Sequence, residues 1–231
     1  MSRNINAQFN DTVNYYLNLA ATGIINKTDA ADSYVFNNLL RANASKNDVS
    51  VNSSVSWIYG QTNKVLSNND ITANVDVGYR KDSSRFAYWA LGNFDKSYSL
   101  RINKRWQVGG GASFDLIKSG NARFNISNGL LYESSDLKLS DTVRDVYRTW
   151  RNSLRIKFRY AVKELLVIEG VNFLQNSLET KSDYIIRSNL TASLKIYRWV
   201  SFTSTLTYNK LNRLDRENLL FTLGIAFEKY F

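Results

Sequence analysis

The sequence predicts an all-β protein: a transmembrane antiparallel up-and-down β-barrel of about 12 strands with both termini in the periplasm. Three observations predict this fold. Apolar and polar residues alternate one by one along most of the chain, the connections between these segments alternate in length, and the final segment is an apolar-alternating strand that ends at Phe231. No run approaches the roughly 18 consecutive apolar residues of a membrane helix.

The alternation is clearest in residues 219–227. Leu219, Phe221, Leu223 and two further apolar residues share one face of this segment, while the residues between them are mostly small or polar. Successive side chains of a strand point to opposite faces, so one face is apolar and the other is not. Twelve segments follow this pattern and predict strands: 14–25, 34–45, 49–61, 70–80, 85–96, 98–117, 122–135, 148–162, 165–177, 184–198, 200–212 and 218–231.

Two of the twelve segments depart from simple alternation. The apolar face switches at Glu169 and Gly170, which predicts a β-bulge. Between Phe86 and Phe94 both faces are apolar, so the pattern assigns no register to the strand at 85–96.

The connections predict how the barrel is oriented. Outer-membrane barrels have short periplasmic turns and longer outer loops. Short connections are expected at 46–48, 81–84, 118–121, 163–164 and 197–199, and longer ones at 27–33, 61–70, 134–147, 178–183 and 210–218. Both termini are therefore expected in the periplasm, with a periplasmic tail at residues 1–13 and a single barrel over 14–231.

A soluble barrel is the alternative, with the apolar stripe buried and the polar stripe exposed. Twelve long strands would then enclose a wide interior that apolar side chains could not easily fill. Apolar side chains facing lipid and polar ones facing the lumen remove this difficulty. The segment Ile5–Ala7 followed by Gln8 resembles the end of a cleaved signal, so we expect an exported chain in the bacterial outer membrane whose leader has been removed or replaced.

The stretch 88–137 carries a family resemblance. Its carrying residues are Phe94-Asp95, Leu100, Arg105, Gly109–Gly111, Ser113–Leu116, Phe124 and Asn128–Glu133, and the segment 214–231 is similar as well. With these residues the chain resembles the YdiY-like family of salt-induced outer-membrane proteins, and its abundant Asn, Lys and Ser resemble members from the Bacteroidota. The resemblance implies an outer-membrane barrel that carries a signal, without a known reaction or ligand.

The candidate functional residues form a basic stripe in the lumen. Arg155, Lys157 and Arg159 share one face of one strand. The face assignment also turns Arg41, Arg105, Arg123, Arg187 and Lys195 inward, with the acidic counter-charges Asp76, Asp115 and Glu228. Two interpretations stay open: the charges interlock and plug the lumen, or they form a conduit or pocket that favours anions.

The glycine run 109–111 lacks the helix and the spacing of a phosphate-binding loop, so it is expected to permit a bend or a close approach inside a strand.

The composition limits the function. The chain has no His and no Cys, which excludes the His-dependent outer-membrane enzymes, and we expect no catalytic residue, metal or cofactor. The leading hypothesis is a non-enzymatic barrel with a structural or accessory role, held against another outer-membrane protein. The alternative is a passive channel or small-solute pocket with anion preference, and a hydrolase is the third hypothesis.

Expected partners follow from the barrel fold. The assembly signal at Phe231, Phe227 and Ile225 would be read by the barrel assembly machinery. Outer-membrane lipid surrounds the barrel, and lipopolysaccharide phosphates would meet a basic outer rim. The rim residues are Arg144, Arg148, Lys181, Lys210, Arg213 and Arg216. The net charge of +10 is therefore assigned to the lumen and the rim, and nucleic acid is not an expected partner.

Overall fold

Twelve antiparallel strands close into one barrel in their sequence order, with β1 paired to both β2 and β12. The computed structural model describes residues 15–28, 32–81, 84–140, 142–163 and 165–230. The strands are β1 (Tyr15–Lys27), β2 (Asp32–Lys46), β3 (Val49–Thr62), β4 (Val65–Tyr79), β5 (Phe86–Ser97), β6 (Ile102–Lys118), β7 (Ala122–Lys138), β8 (Arg144–Val162), β9 (Leu166–Ser177), β10 (Tyr184–Tyr197), β11 (Val200–Leu211) and β12 (Arg216–Tyr230). The predicted tail 1–13, the signal-like segment Ile5–Gln8 and Phe231 lie outside the described residues.

The side chains alternate as the sequence predicts. In β1, Leu17 and Leu19 are exposed on the outer surface, whereas Asn18 and Thr22 are buried inside. Exposed apolar residues occur on every strand, and most of the buried residues are polar or charged. An apolar outer surface around a polar interior is the arrangement of a barrel that lies in lipid. Among the described residues, no helix is long and apolar enough to span a membrane.

The barrel has two ends that differ in their connections. We call the end where β1 begins and β12 ends the terminal end, and the opposite end the loop end. Several long connections expected at the loop end are wrong. Only Asn63 and Lys64 join β3 to β4, both with positive φ, as a tight hairpin turn requires. A short 3-10 helix, η1 (Asn212–Leu214), lies between β11 and β12.

Several strands, among them β4, β7 and β8, are longer than predicted because polar residues near the loop end still belong to them. The Asn-rich stretch before Ile71 looks like a loop in the sequence. In the structure Asn68 and Asp70 lie on the inward face of β4 and are buried. In a barrel with a polar lumen, an inward-facing polar residue extends a strand instead of ending it.

The predicted bulge at Glu169 and Gly170 is wrong. Strand β9 pairs with β8 and β10 without a register shift at these residues. The apparent switch of faces arises because Val171 and Phe173 point into the lumen beside Glu169. In β5, whose register the sequence left open, Ala87, Trp89 and Leu91 point inward. The lumen is therefore polar but carries apolar patches.

We predict that a new arginine destabilises the barrel when it lies on the outer face and is tolerated when it lies in the lumen. Val55 lies near the middle of β3 and is exposed on the outer surface, and its neighbour Ser56 lines the lumen. Val55→Arg should lower the free energy of unfolding by about 2–4 kcal/mol, the effect of Arg at the bilayer midplane. Urea unfolding in lipid vesicles measures this change. Ser56→Arg is the matched control, and an equal loss in both variants would contradict the assigned faces.

Candidate functional site: the lumen cavity

The lumen encloses a cavity of about 1180 Å³. At the terminal end its lining includes the exposed residues Lys46 and Asn47, so the cavity reaches solvent there. Toward the loop end its lining includes Leu100, Ile102 and other buried residues. As far as the described residues show, the lumen is therefore a cup that opens at the terminal end.

An apolar cluster covers the cup at the loop end. Tyr147 and Leu214 pack against its buried members, which come from four strands and one turn. The buried members are Leu100, Ile102, Leu137, Ile185 and Leu211. These side chains point inward at a place where a polar lumen would otherwise meet solvent. Their burial from water stabilises the cover by roughly 1.5–3 kcal/mol for each large side chain.

An ion-pair network lies beside the apolar cluster. Arg151 is fully buried, and its Nε and Nη2 atoms donate to Glu133 Oε2 at 2.7 Å and to Asp183 Oδ1 at 2.8 Å. Arg213 in η1 donates to Asp145 Oδ2 at 2.7 Å. Its guanidinium carbon lies 3.8 Å from the ring centre of Tyr147. The hydrogen bond to Asp145 raises the pKa of Arg213 above its ordinary value. The network holds the β9–β10 connection and η1 against the barrel.

Sequence reasoning missed Arg151 and Glu133. A signal was present, since Arg151 is in phase with Arg155 on β8, and Glu133 is in phase with Arg123 on β7. Both residues lie within the predicted segments 122–135 and 148–162 and follow the inward period of their strands. Strict period-two alternation along β7 and β8 would have placed both side chains in the lumen.

Three carboxylates in the lumen are each shared by two cations. Asp115 accepts from Arg80 and from Arg123 at 2.9 Å. Asp76 accepts from Arg155 and lies 3.6 Å from the Lys157 Nζ atom. Asp95 accepts from Arg105 at 3.0 Å and from Arg187 at 2.6 Å. One carboxylate neutralises one cation, so the groups around Asp76 and Asp115 retain a net positive charge.

Several of these contacts cross the lumen. Arg41 on β2 donates to Glu169 on β9 at 2.7 Å, and Gln107 on β6 donates to Gln175 on β9 at 2.9 Å. The Arg155–Asp76 pair likewise joins β8 to β4. Such bridges narrow the lumen, as a plug would, but the cavity remains between them. The structure thus combines features of both interpretations that the sequence left open.

Most predicted site residues line the cavity: Arg41, Arg105, Arg123, Arg155, Lys157, Arg159, Arg187 and Asp76. Lys195 and Glu228 form an ion pair of 2.9 Å near the terminal end. Phe227 and Ile225 are exposed on the outer face of β12.

The expected count of three inward acids is wrong. Asp70, Asp95, Glu133 and Glu169 are also inward. Asp95 was missed because the register of β5 was unassigned, and Glu169 because a bulge was expected there. Of the expected rim residues, Arg213 lies at the loop end within the ion-pair network, and Lys210 lines the cavity.

Trp89 is the tryptophan that points into the lumen, where it is 6% exposed, and the other four tryptophans are 47–58% exposed on the outer surface. The guanidinium carbon of Arg155 lies 4.7 Å from its ring centre. The ring packs against Gly129, where an added Cβ would come within 2.6 Å of Trp89 Cζ2. The glycines of β6 and β7 thus allow neighbouring backbone and the Trp89 ring to pack closely against these strands. A close approach of this kind is what the sequence predicts for the run 109–111.

Basic residues outnumber acidic ones in the described lining of the cavity. Eleven lining residues are Arg or Lys, and five are Asp or Glu. Within the described part of the chain, no group of three or more acidic side chains is arranged to hold a metal ion. The chemistry that this lining supports is the binding of anions by charge-assisted hydrogen bonds.

Solved outer-membrane barrels have a similar fold. The NanC porin matches with a TM-score of 0.53 at 13% identity, covering 93% of this chain and 99% of that chain. An outer-membrane channel from Pseudomonas putida F1 matches with a TM-score of 0.53 at 13% identity and covers 100% of both chains. Identities this low show a shared fold alone. No curated protein matches the chain. A family model with the description "Protein of unknown function, DUF481" matches residues 21–226.

We predict that Glu133 stabilises the fold through Arg151. Glu133→Ala leaves the buried Arg151 with one acidic partner fewer, and removal of one member of a buried ion pair typically destabilises by about 3–5 kcal/mol. Urea unfolding in detergent micelles measures the loss. Glu217→Ala, at an exposed position, is the control and should change stability by less than about 0.5 kcal/mol. Similar losses of stability in the two variants would contradict the stabilising role assigned to Glu133.

Proposed function

Because the chain belongs to the DUF481 family, whose description names no activity, we propose its function from the geometry of its lumen: it is an outer-membrane barrel that admits and binds small anions. The observation that carries this proposal is the excess of basic residues around a cavity that opens at the terminal end. Ligand sites typically have volumes of about 300–1,000 Å³, and this cavity of about 1180 Å³ is as large.

The shared carboxylates give the proposal its physical reason. Lys157 shares Asp76 with Arg155, and its side chain is 38% exposed. An entering anion would therefore meet a cation that its ion pair does not fully neutralise. Positive side chains around a pore or pocket attract anions and repel cations.

The location is part of the same proposal. An apolar outer surface and the likeness in fold to outer-membrane barrels support residence in the outer membrane. We further propose that the chain is exported with a signal, that both termini face the periplasm, and that lipopolysaccharide contacts the loop end. With this orientation the cup would open toward the periplasm. We also propose that the chain is related to the YdiY-like salt-induced proteins and comes from a member of the Bacteroidota.

An accessory role beside another outer-membrane protein stays a prediction from the sequence. Purification from native membranes in mild detergent tests it, because an accessory subunit should retain a partner in fixed proportion. Assembly through the barrel machinery, and the absence of enzymatic activity, are predictions that need separate tests.

Trp89 provides the test of anion entry. A variant with the four outward tryptophans replaced by Phe retains Trp89 as a fluorescent reporter beside Arg155. We predict that iodide quenches this reporter in proportion to its concentration. Lys157→Glu should weaken iodide quenching by about threefold or more, because it reverses a charge in the cavity. Quenching by neutral acrylamide should change little.

Lys64→Glu is the matched control, because Lys64 lies in the exposed turn between β3 and β4, outside the cavity lining. It makes the same change of charge and should leave iodide quenching unchanged. If iodide fails to quench Trp89, or if both charge reversals act equally, the lumen does not select anions and the proposal is overturned.

A further inference from the structure

The barrel closes through a seam that is only partly paired. β1 pairs with β2 along all of Tyr15–Lys27, whereas among the described residues it pairs with β12 from Tyr16 to Gly23 and not beyond Gly23. The last pair joins Gly23 to Leu223. Beyond it, residues 24–27 of β1 and 219–222 of β12 are described as strands and pair with their other neighbours, not with each other. The two hairpins therefore diverge at the seam toward the loop end.

An apolar groove lies on the outer surface over β1, β2 and β3, and β1 is also one of the two seam strands. Its volume is about 370 Å³, and its walls include Ala21, Gly23, Phe36, Trp57 and Tyr59. The aromatic rings stand on β2 and β3, and the small residues of β1 form the floor. A groove of this lining fits a hydrocarbon chain, because apolar surface is favourably covered by apolar groups.

The groove and the lumen cavity have one described lining residue in common. Thr22 lines both the outer groove and the lumen cavity. Its hydroxyl lies 2.8 Å from the hydroxyl of Thr222 on β12 and donates to the Asn37 carbonyl oxygen at 3.3 Å. The Thr22–Thr222 contact spans the point from which the two hairpins diverge.

The lumen wall behind Thr22 is apolar, unlike most of the cavity. Ala20, Leu39, Ile58 and Leu220 line the cavity on the strands next to the seam. Arg41 follows Leu39 by two residues on the inward face of β2, about 7 Å farther along the strand. The outer groove and this inner wall lie on opposite faces of β1 and β2, whose pairing is continuous here. A path between them would run round the seam edge of β1, where the pairing with β12 ends, and the inner wall continues to Arg41, which is ion-paired with Glu169.

A buried polar atom lies on the same path. Asn37 is 8% exposed and lines the cavity beside Thr22. Its Oδ1 atom has no hydrogen-bond partner among the described residues. A buried acceptor without a partner is unfavourable and is uncommon in native structures, so it marks a place where a ligand can donate a hydrogen bond.

We propose that the seam between β1 and β12 is a lateral portal through which a single-chain anionic amphiphile passes between the membrane and the lumen. The hydrocarbon chain occupies the outer groove and the wall at Leu39 and Ile58. The acidic head group reaches Arg41 and the cations beyond it, and it donates to Asn37 while protonated. This inference rests on the proposed anion-binding lumen, and it names the class of anion and its route.

The portal can be locked reversibly, because the chain contains no cysteine. In the Trp89 reporter variant, Thr22→Cys and Thr222→Cys place two thiols where the hydroxyls are 2.8 Å apart, close enough for a disulfide after a small adjustment. A fatty acid brominated in mid-chain is the probe, because bromine quenches tryptophan on contact. We expect the oxidised barrel in vesicles to show quenching at least tenfold slower than the reduced barrel, with full recovery on adding reductant.

A second variant blocks the groove without a disulfide. Ala21→Phe fills the outer groove with an apolar ring that faces lipid, and it should also slow quenching of Trp89 by the brominated fatty acid. Ala73→Phe is the matched control, because Ala73 is an outward residue on β4, away from the seam. It should leave the rate unchanged.

The outcomes separate this inference from the proposed function. Iodide enters at the terminal end, so its quenching should be equal in the locked and unlocked barrels. If the brominated fatty acid quenches Trp89 at the same rate in the locked and unlocked barrels, the seam is not its route and the portal is overturned. Quenching by iodide would still support the anion-binding lumen in that case. Failure of iodide alone would overturn only the proposed function. Equal quenching by a brominated two-chain phospholipid would contradict the single-chain ligand.

Discussion

The structure depends on the requirement that backbone N–H and C=O groups find partners where water is absent. In lipid this requirement is met when the strands of a sheet close on themselves. The pairing of β1 with β12 supplies that closure. Once the ladder is closed, each strand has a fixed inner face, and the buried side chains of Thr22 and Thr222 meet on that face. Closure of the backbone therefore decides which side chains face the lumen.

Charge is distributed unevenly along the axis of the lumen. Toward the terminal end, two cations share the carboxylate of Asp76, and two share that of Asp115. At the loop end the ratio is reversed, because Arg151 lies between Glu133 and Asp183. The ion pairs that close one end are thus nearly self-compensated, while those near the open end leave positive charge for a ligand.

The strands and their faces could be predicted from the sequence because period-two alternation is local. Arg155 and Lys157 needed only their own strand to be placed inside the barrel. Their shared partner Asp76 lies on β4, 79 residues from Arg155. Such a contact depends on how the strands are staggered and tilted around the barrel, which no single strand encodes.

The errors of prediction have a common physical cause. Polar residues such as Asn68 were interpreted as a loop, and the inward apolar residues Val171 and Phe173 were interpreted as a bulge. Both interpretations assume that each face of a strand is uniform in polarity. The lumen of this barrel has an apolar cover, an apolar wall beside the seam and a basic cavity, so the inner face changes character along its length.

The partly paired seam also has a consequence for the order of assembly. Every other strand pair in the barrel is a hairpin of neighbours in sequence, whereas the seam brings together Thr22 and Thr222, 200 positions apart. The loop entropy lost on joining two segments grows with the length of chain between them. The hairpins can therefore form before the ends of the chain meet, and the seam is the last junction to close. Because it also has the fewest paired residues of any junction in the described part of the chain, we expect it to be the place where the closed barrel first opens.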